Sequence, residues 1–115
     1  RLLTHDHTFA QKLADVGAIP KEAIAEHTFR NTLWNFAGLG DASGIPEIVT
    51  LNLQSNDRLI LTTDGITGPL CKEELARIVA PLDSPDEAAR QVAEAAVRCG
   101  STDDATCVVA IARTI

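Results

Sequence analysis

The chain of 115 residues has no methionine, few aromatics and only three cysteines. Aromatic residues make up 3 % against 45 % hydrophobic residues overall, so a folded core is expected, built mainly from aliphatic side chains. Cys71, Cys99 and Cys107 form no CxxC pair, which supports neither a zinc knuckle nor a disulfide framework. Buried free thiols in a reducing cytoplasm are the expectation. No basic cluster accompanies the net charge of −6, which argues against nucleic acid or an anionic membrane as partner. No apolar run approaches the roughly 20 residues that span a bilayer. An acidic protein can still bind phosphate when a metal brings the positive charge. The absence of methionine and the opening RLLTHDH give no sign of a natural start, so a fragment of a longer protein is expected.

What is present reads as an α+β pattern. Residues 1–4 look like the end of a strand. Thr8 to Val16 is expected to be helical, with Phe9, Leu13 and Val16 as its apolar stripe and Gly17 as its stop. Pro20 opens a second short helix to about His27. In residues 28–44, Leu33 either sits in a strand or packs with Phe29, Trp34 and Phe36 from a loop, and the glycines and Ser43 that follow read as loop. IPEIVTLNL alternates as a half-buried strand, QSND turns, and RLILTT returns as the second arm of a hairpin. CKEELARIVA is helical, with Leu75, Ile78 and Val79 on one side. Ser84 and Glu87 read as a capping box that opens a long helix, with Pro85 in its first turn. Ala88, Val92, Ala96 and Cys99 form its stripe, Ala89, Ala93 and Val97 widen it, and Gly100 ends it. ATCVVAIA is a last strand, apolar enough to be buried on both faces.

Two acidic positions stand out because each sits at a strand boundary. Asp64 ends the run RLILTT and is followed by Gly65, which permits a tight turn or a close approach. Taken alone, Asp-Gly is more often a plain turn. Asp103 and Asp104 stand directly before the last strand, where STDDA also reads as a solvated turn. If the two strands are antiparallel neighbours, Asp64 and Asp103 lie at one edge of the sheet. Clustered carboxylates repel each other, and a hard divalent cation relieves that repulsion. Oxygen ligands point to Mg²⁺ or Mn²⁺ rather than zinc. His5-Asp6-His7 suggests a metal pair, but no third ligand is near, and a helix-start role for Asp6 or Thr8 is preferred.

These residues also carry a resemblance. DRLILTTDGITGPLCKEELARIV and SPDEAARQVAEAAVRCGSTDDATCVVAIA resemble the C-terminal half of the metal-dependent, type 2C (PPM) serine/threonine protein phosphatases. The late motifs of that family read D-x-L-L-L-x-S-D-G-L-T and G-S-x-D-N-x-T-V-V-V. The earlier LTHDHTFAQKLADVGAIPKEAIAEHTFRNTLWNFAG is similar to a bacterial pattern of the same family, so the likeness covers about residues 2 to 112. It implies an α-β-β-α sandwich of antiparallel sheets flanked by helices, of which residues 1–115 are the C-terminal portion of a single domain. It implies that Asp64 and Asp103 are ligands of a binuclear Mg²⁺ or Mn²⁺ centre, with Gly65 and Asp104 beside it. Residues 17–38 then match a flap that influences substrate access, and Arg30 and Asn31 its non-catalytic RN pair. The implied reaction is hydrolysis of phosphoserine and phosphothreonine on proteins by metal-activated water, with no covalent intermediate.

The sequence departs from the pattern at Asp104, in place of asparagine, at Thr63, in place of serine, and at Gly68, where many members carry an acid. The metal-binding motifs of the family's N-terminal half are absent. The chain alone is therefore expected to be inactive and to need the missing half, or another copy, as partner. The alternative is a non-catalytic regulatory or protein-binding module with the same fold. A half-sandwich has unpaired strand edges, so self-association or marginal stability is expected.

Overall fold

The computed structural model describes residues 1–38, 40 and 44–114. The chain divides into two compact units, Leu2–Thr50 and Leu51–Ile115, the latter together with Arg1.

The first unit is built around one helix, α1 (Phe9–Asp15). Thr8 is its N-cap, and its Oγ1 accepts from the Gln11 amide at 3.2 Å, so the expected helix start is correct. The buried face is not the one expected. Ala10 and Ala14 are covered, whereas Phe9 and Val16 are exposed. The reason is the strand-like segment beside the helix. Phe9 N donates to Thr32 O at 2.8 Å, Trp34 N donates to His7 O at 3.0 Å, and Thr8 bridges Leu33. Small side chains allow that close approach. Trp34 packs beneath Lys12 Nζ, 4.2 Å from its ring centre, and beside His7, with ring centres 5.3 Å apart.

The expected second helix shrinks to a single 3₁₀ turn, Lys21–Ala23. Pro20 stands before that turn in extended geometry, and no residue of the turn is buried, so nothing apolar holds a longer helix. Residues 1–4 form no strand. The expected strand over residues 45–53 is also absent: the segment has no ladder partner, and Ile45, Ile48 and Leu53 are exposed. A strand pattern without a neighbour to accept its hydrogen bonds does not persist. Ser43 lies outside the described residues.

The second unit is the α+β part. Strand β1 (Arg58–Thr62) leads into a short helix α2 (Asp64–Thr67), then α3 (Lys72–Val79) and α4 (Pro85–Arg98), and strand β2 (Cys107–Ile111) closes the order. The QSND turn exists, with Asp57 N donating to Gln54 O at 3.0 Å, but it does not join a hairpin. Instead β1 pairs antiparallel with β2, from Arg58↔Ile111 to Thr62↔Cys107.

Ser84 caps α4 by accepting from the Glu87 amide at 3.3 Å. The reciprocal half of the expected box does not form, because the Glu87 carboxylate is taken by Arg90 and Gln91. Gly100 follows the helix at φ +88°, a conformation that favours glycine, as its position suggested. Ile66, Leu70, Leu75, Val79, Ala88, Val92, Ala95 and Ala96 form the core, with Ile60 and Val109 packed on it from the sheet. Cys99 and Val97 fall outside it, since the helix turns Ala95 inward instead. Val92 is fully buried, and a side chain of that size contributes about 1.5–3 kcal/mol by leaving water.

Strand β2 is not buried on both faces. Cys107, Val109 and Ile111 face the helices, while Val108 and Ala110 are exposed. On the same outer face Leu61 lies opposite Val108, and each is 56 % exposed. The sheet has two strands, so each has a free outer edge among the described residues. The thiols are also more open than expected, with Cys71 and Cys99 exposed.

Candidate metal site

The antiparallel register places the end of β1 and the start of β2 at one end of the ladder. Thr63 extends that end by one residue: its amide donates to Thr106 O at 3.1 Å. Its hydroxyl donates to Asp104 O at 2.9 Å and accepts from Thr106 N at 3.0 Å. Asp64 then opens α2, a turn of helix held in place by the fully buried Ile66. The Asp-Gly pair is thus neither a hairpin turn nor a loop but the first step of a helix.

Gly65 is buried against the other acidic segment. A methyl group at this position would lie 2.4 Å from Asp104 O and 2.8 Å from its carbonyl carbon. Only a residue without Cβ allows that approach. From the other side, Ser101 Oγ donates to Gly65 O at 2.7 Å. Asp103 turns one carboxylate oxygen, Oδ1, onto the Asp104 amide at 2.8 Å.

Asp64 and Asp103 line the same depression, of about 380 Å³, with Gly65, Gly68, Pro69, Cys99, Gly100, Ser101 and Thr102. Asp104 does not line it. That residue contributes its backbone, through Thr63 and Gly65. Neither Asp64 nor Asp103 forms an ion pair among the described residues. Two aspartates that line one hollow and form no ion pair among the described residues are a donor set that fits a hard divalent cation. Among the described residues no group of three or more His, Cys, Asp or Glu side chains could hold an ion.

The other candidates go elsewhere. His5 Nδ1 meets Glu47 Oε1 at 2.9 Å, and His7 Nδ1 accepts from Asn35 Nδ2 at 2.8 Å, so the two histidines have separate partners. Burial pushes the Cys107 thiol up, which disfavours a thiolate nucleophile there. The sequence analysis assigns no role to the hydroxyls of Thr63 and Ser101, although both stand at hydroxyl positions of the resembling motifs, one and two residues before an acid.

No family model matches the chain. It is similar to the serine/threonine protein phosphatase PstP of Mycobacterium tuberculosis, with 32 % identity over 110 residues, covering 94 % of this chain and 20 % of that protein. Its fold superposes on the serine/threonine phosphatase Stp1 of Staphylococcus aureus with a TM-score of 0.85 and 25 % identity, covering 99 % of this chain and 44 % of that one. For the PPM Ser-Thr phosphatase MsPP of Mycobacterium smegmatis, solved with cacodylate, the TM-score is 0.79 at 28 % identity, over 97 % of this chain and 47 % of that one. The chain thus spans less than half the length of the curated relatives it matches.

Proposed function

Because the chain belongs to the type 2C, or PPM, serine/threonine protein phosphatases, we propose that it forms the C-terminal part of a phosphatase domain and contributes Asp64 and Asp103 to a binuclear Mg²⁺ or Mn²⁺ site. The parent protein hydrolyses phosphoserine and phosphothreonine on protein substrates in a cytoplasmic setting. The observation that supports this reading is that Asp64 and Asp103 line one depression at one end of the ladder and form no ion pair among the described residues.

When bound, the metals supply the positive charge that polarises a phosphoryl group and activates water. The chain's own part is positional. Asp64 and Asp103 hold the ions from two adjoining segments. Gly65 and the Asp104 backbone keep those segments in contact. The partner is the missing half of the domain or another copy of the chain. The bare outer face with Leu61 and Val108, and the free strand edges, support that part of the proposal. Among the described residues no helix is long and apolar enough to cross a membrane.

Calorimetric titration with Mn²⁺ tests the site: Asp64→Asn and Asp103→Asn are each expected to lose binding. Unchanged binding in both removes these residues from it. A second reading is a non-catalytic regulatory or binding module with the same fold; its support is that no group of three or more metal-ligating side chains is found among the described residues. The two separate on one assay. Hydrolysis of a phosphothreonine peptide should be absent for this chain alone and return when the N-terminal half of a type 2C relative is added. Failure to return supports the module.

A further inference from the structure

The carboxylates of Asp64 and Asp103 have no ion pairs among the described residues, so their separation is set by the backbones that carry them. Those backbones meet through the Thr63 amide on Thr106 O, the close approach of Gly65 to Asp104, and two side-chain hydroxyls. Thr63 stands at the N-cap position of α2, where a threonine ordinarily accepts from the amides of the first turn. It makes no such bond. Its hydroxyl is turned across the sheet instead, donating to Asp104 O at 2.9 Å and accepting from Thr106 N at 3.0 Å. Both its donor and its acceptor roles are used, and β-branching restricts its rotamer. Ser101 binds from the opposite side, with its Oγ 2.7 Å from the carbonyl of Gly65. The residue before Asp64 and the residue after it are therefore each tied by a hydroxyl bond to the segment that carries Asp103.

We propose that Thr63 and Ser101 are positioning residues of the metal site: their hydroxyls lock the Asp64 turn to the 101–104 loop and so set the spacing at which the two carboxylates share an ion. This rests on the reading of Asp64 and Asp103 as metal ligands. Ligand geometry must be held within about 0.5 Å for a site to function, and partners behind the ligands typically change metal affinity by about 10–100-fold. Neither hydroxyl needs to touch the ion.

The test is Mn²⁺ titration of the full chain, with the thermal midpoint measured on each variant. Thr63→Val, which keeps the shape and loses the hydroxyl, is expected to weaken Mn²⁺ binding by about ten-fold or more. Thr63→Ser restores the hydroxyl and is expected to bind like the parent chain even where its midpoint is lower. Ser101→Ala is expected to weaken binding in the same direction. Affinity unchanged in Thr63→Val, or lost equally in Thr63→Ser, overturns the proposal. Should Thr63→Val not fold, Ser101→Ala decides, and parent-like affinity there overturns it. Asp64→Asn and Asp103→Asn separate the two failures. If they lose Mn²⁺ while the hydroxyl variants keep it, only the positioning role falls. If the parent chain binds no Mn²⁺, or the aspartate variants bind as it does, the site falls with it.

Discussion

Thr62 faces Cys107 across the last rung of the β1–β2 ladder, and the chain leaves the sheet on both sides of that rung into an acidic segment. One register therefore decides whether the two acids meet. A slip of one residue would turn Ile60 and Val109 away from the helices and carry Asp64 off its depression. Packing of the core and assembly of the site are thus the same event in the second unit.

Gly65→Ala adds a Cβ where the Asp104 backbone already stands, 2.4 Å away. Backbone cannot swing aside as a long side chain can. We expect a loss of about 1–3 kcal/mol, the usual range for overpacking, and weaker Mn²⁺ binding because the two acidic segments are forced apart. Urea unfolding followed by far-ultraviolet circular dichroism measures the first. A midpoint equal to that of the parent chain would mean that the close approach does not exist in solution.

Asn35 is buried in the first unit and joins three parts of it. Its Oδ1 accepts from Ile45 N at 3.0 Å, while its Nδ2 donates to Ile45 O at 2.7 Å and to His7 Nδ1 at 2.8 Å. Truncation to alanine removes all three bonds, and leaving buried groups unsatisfied costs about 1–3 kcal/mol. The expected result for Asn35→Ala is faster hydrogen exchange at the Ile45 amide. Exchange as slow as in the parent chain would show that the side chain does not hold that residue.

His5 and Glu47 give the first unit a pH dependence whose sign follows from their shifts. Hydrogen bonding to Glu47, and then its charge, raises His5 above its ordinary value of 6.5. The His5 backbone amide, followed by its side chain, lowers Glu47 below 4.5. The His5 contribution is full below 6.5 and is lost as pH rises through its higher folded value. The Glu47 contribution is full above 4.5 and is lost as pH falls through its lower folded value. Their pairing is strongest between 4.5 and 6.5. Both groups are exposed, so the effect is small. NMR titration of the His5 ring should show a raised pKa that returns toward 6.5 in Glu47→Gln. Identical titrations would dissolve the pair.

The sequence made α4 legible because every local signal agreed: Ser84 before it, Pro85 in its first turn, an alanine and valine stripe, Gly100 after it. The acids were legible for a different reason, since an aspartate at the tip of an apolar strand has no packing explanation. The α2 turn was hidden because Asp64-Gly65 has the composition of a turn, while its helical form comes with the burial of Gly65 and Ile66. The alternating segment over residues 45–53 misled because alternation reports the capacity to lie in a sheet, not the presence of a neighbour. Phe9 and Val16 misled because helical spacing of apolar residues does not say which face meets a close neighbour, and the close backbone contact beside α1 selects alanine. The partners of the hydroxyls could not be read from the sequence, because residues 63 and 104 become neighbours only through the long-range pairing of the strands.

Trp34, the single tryptophan, stands between His7 and Lys12 in the first unit, whereas both aspartates belong to the second. Intrinsic fluorescence is therefore a local reporter. Its emission follows the surroundings of residue 34, set by His7 and Lys12 within the first unit. A melting curve recorded that way and one recorded by backbone dichroism need not coincide, and any gap between them measures how cooperatively the two units unfold.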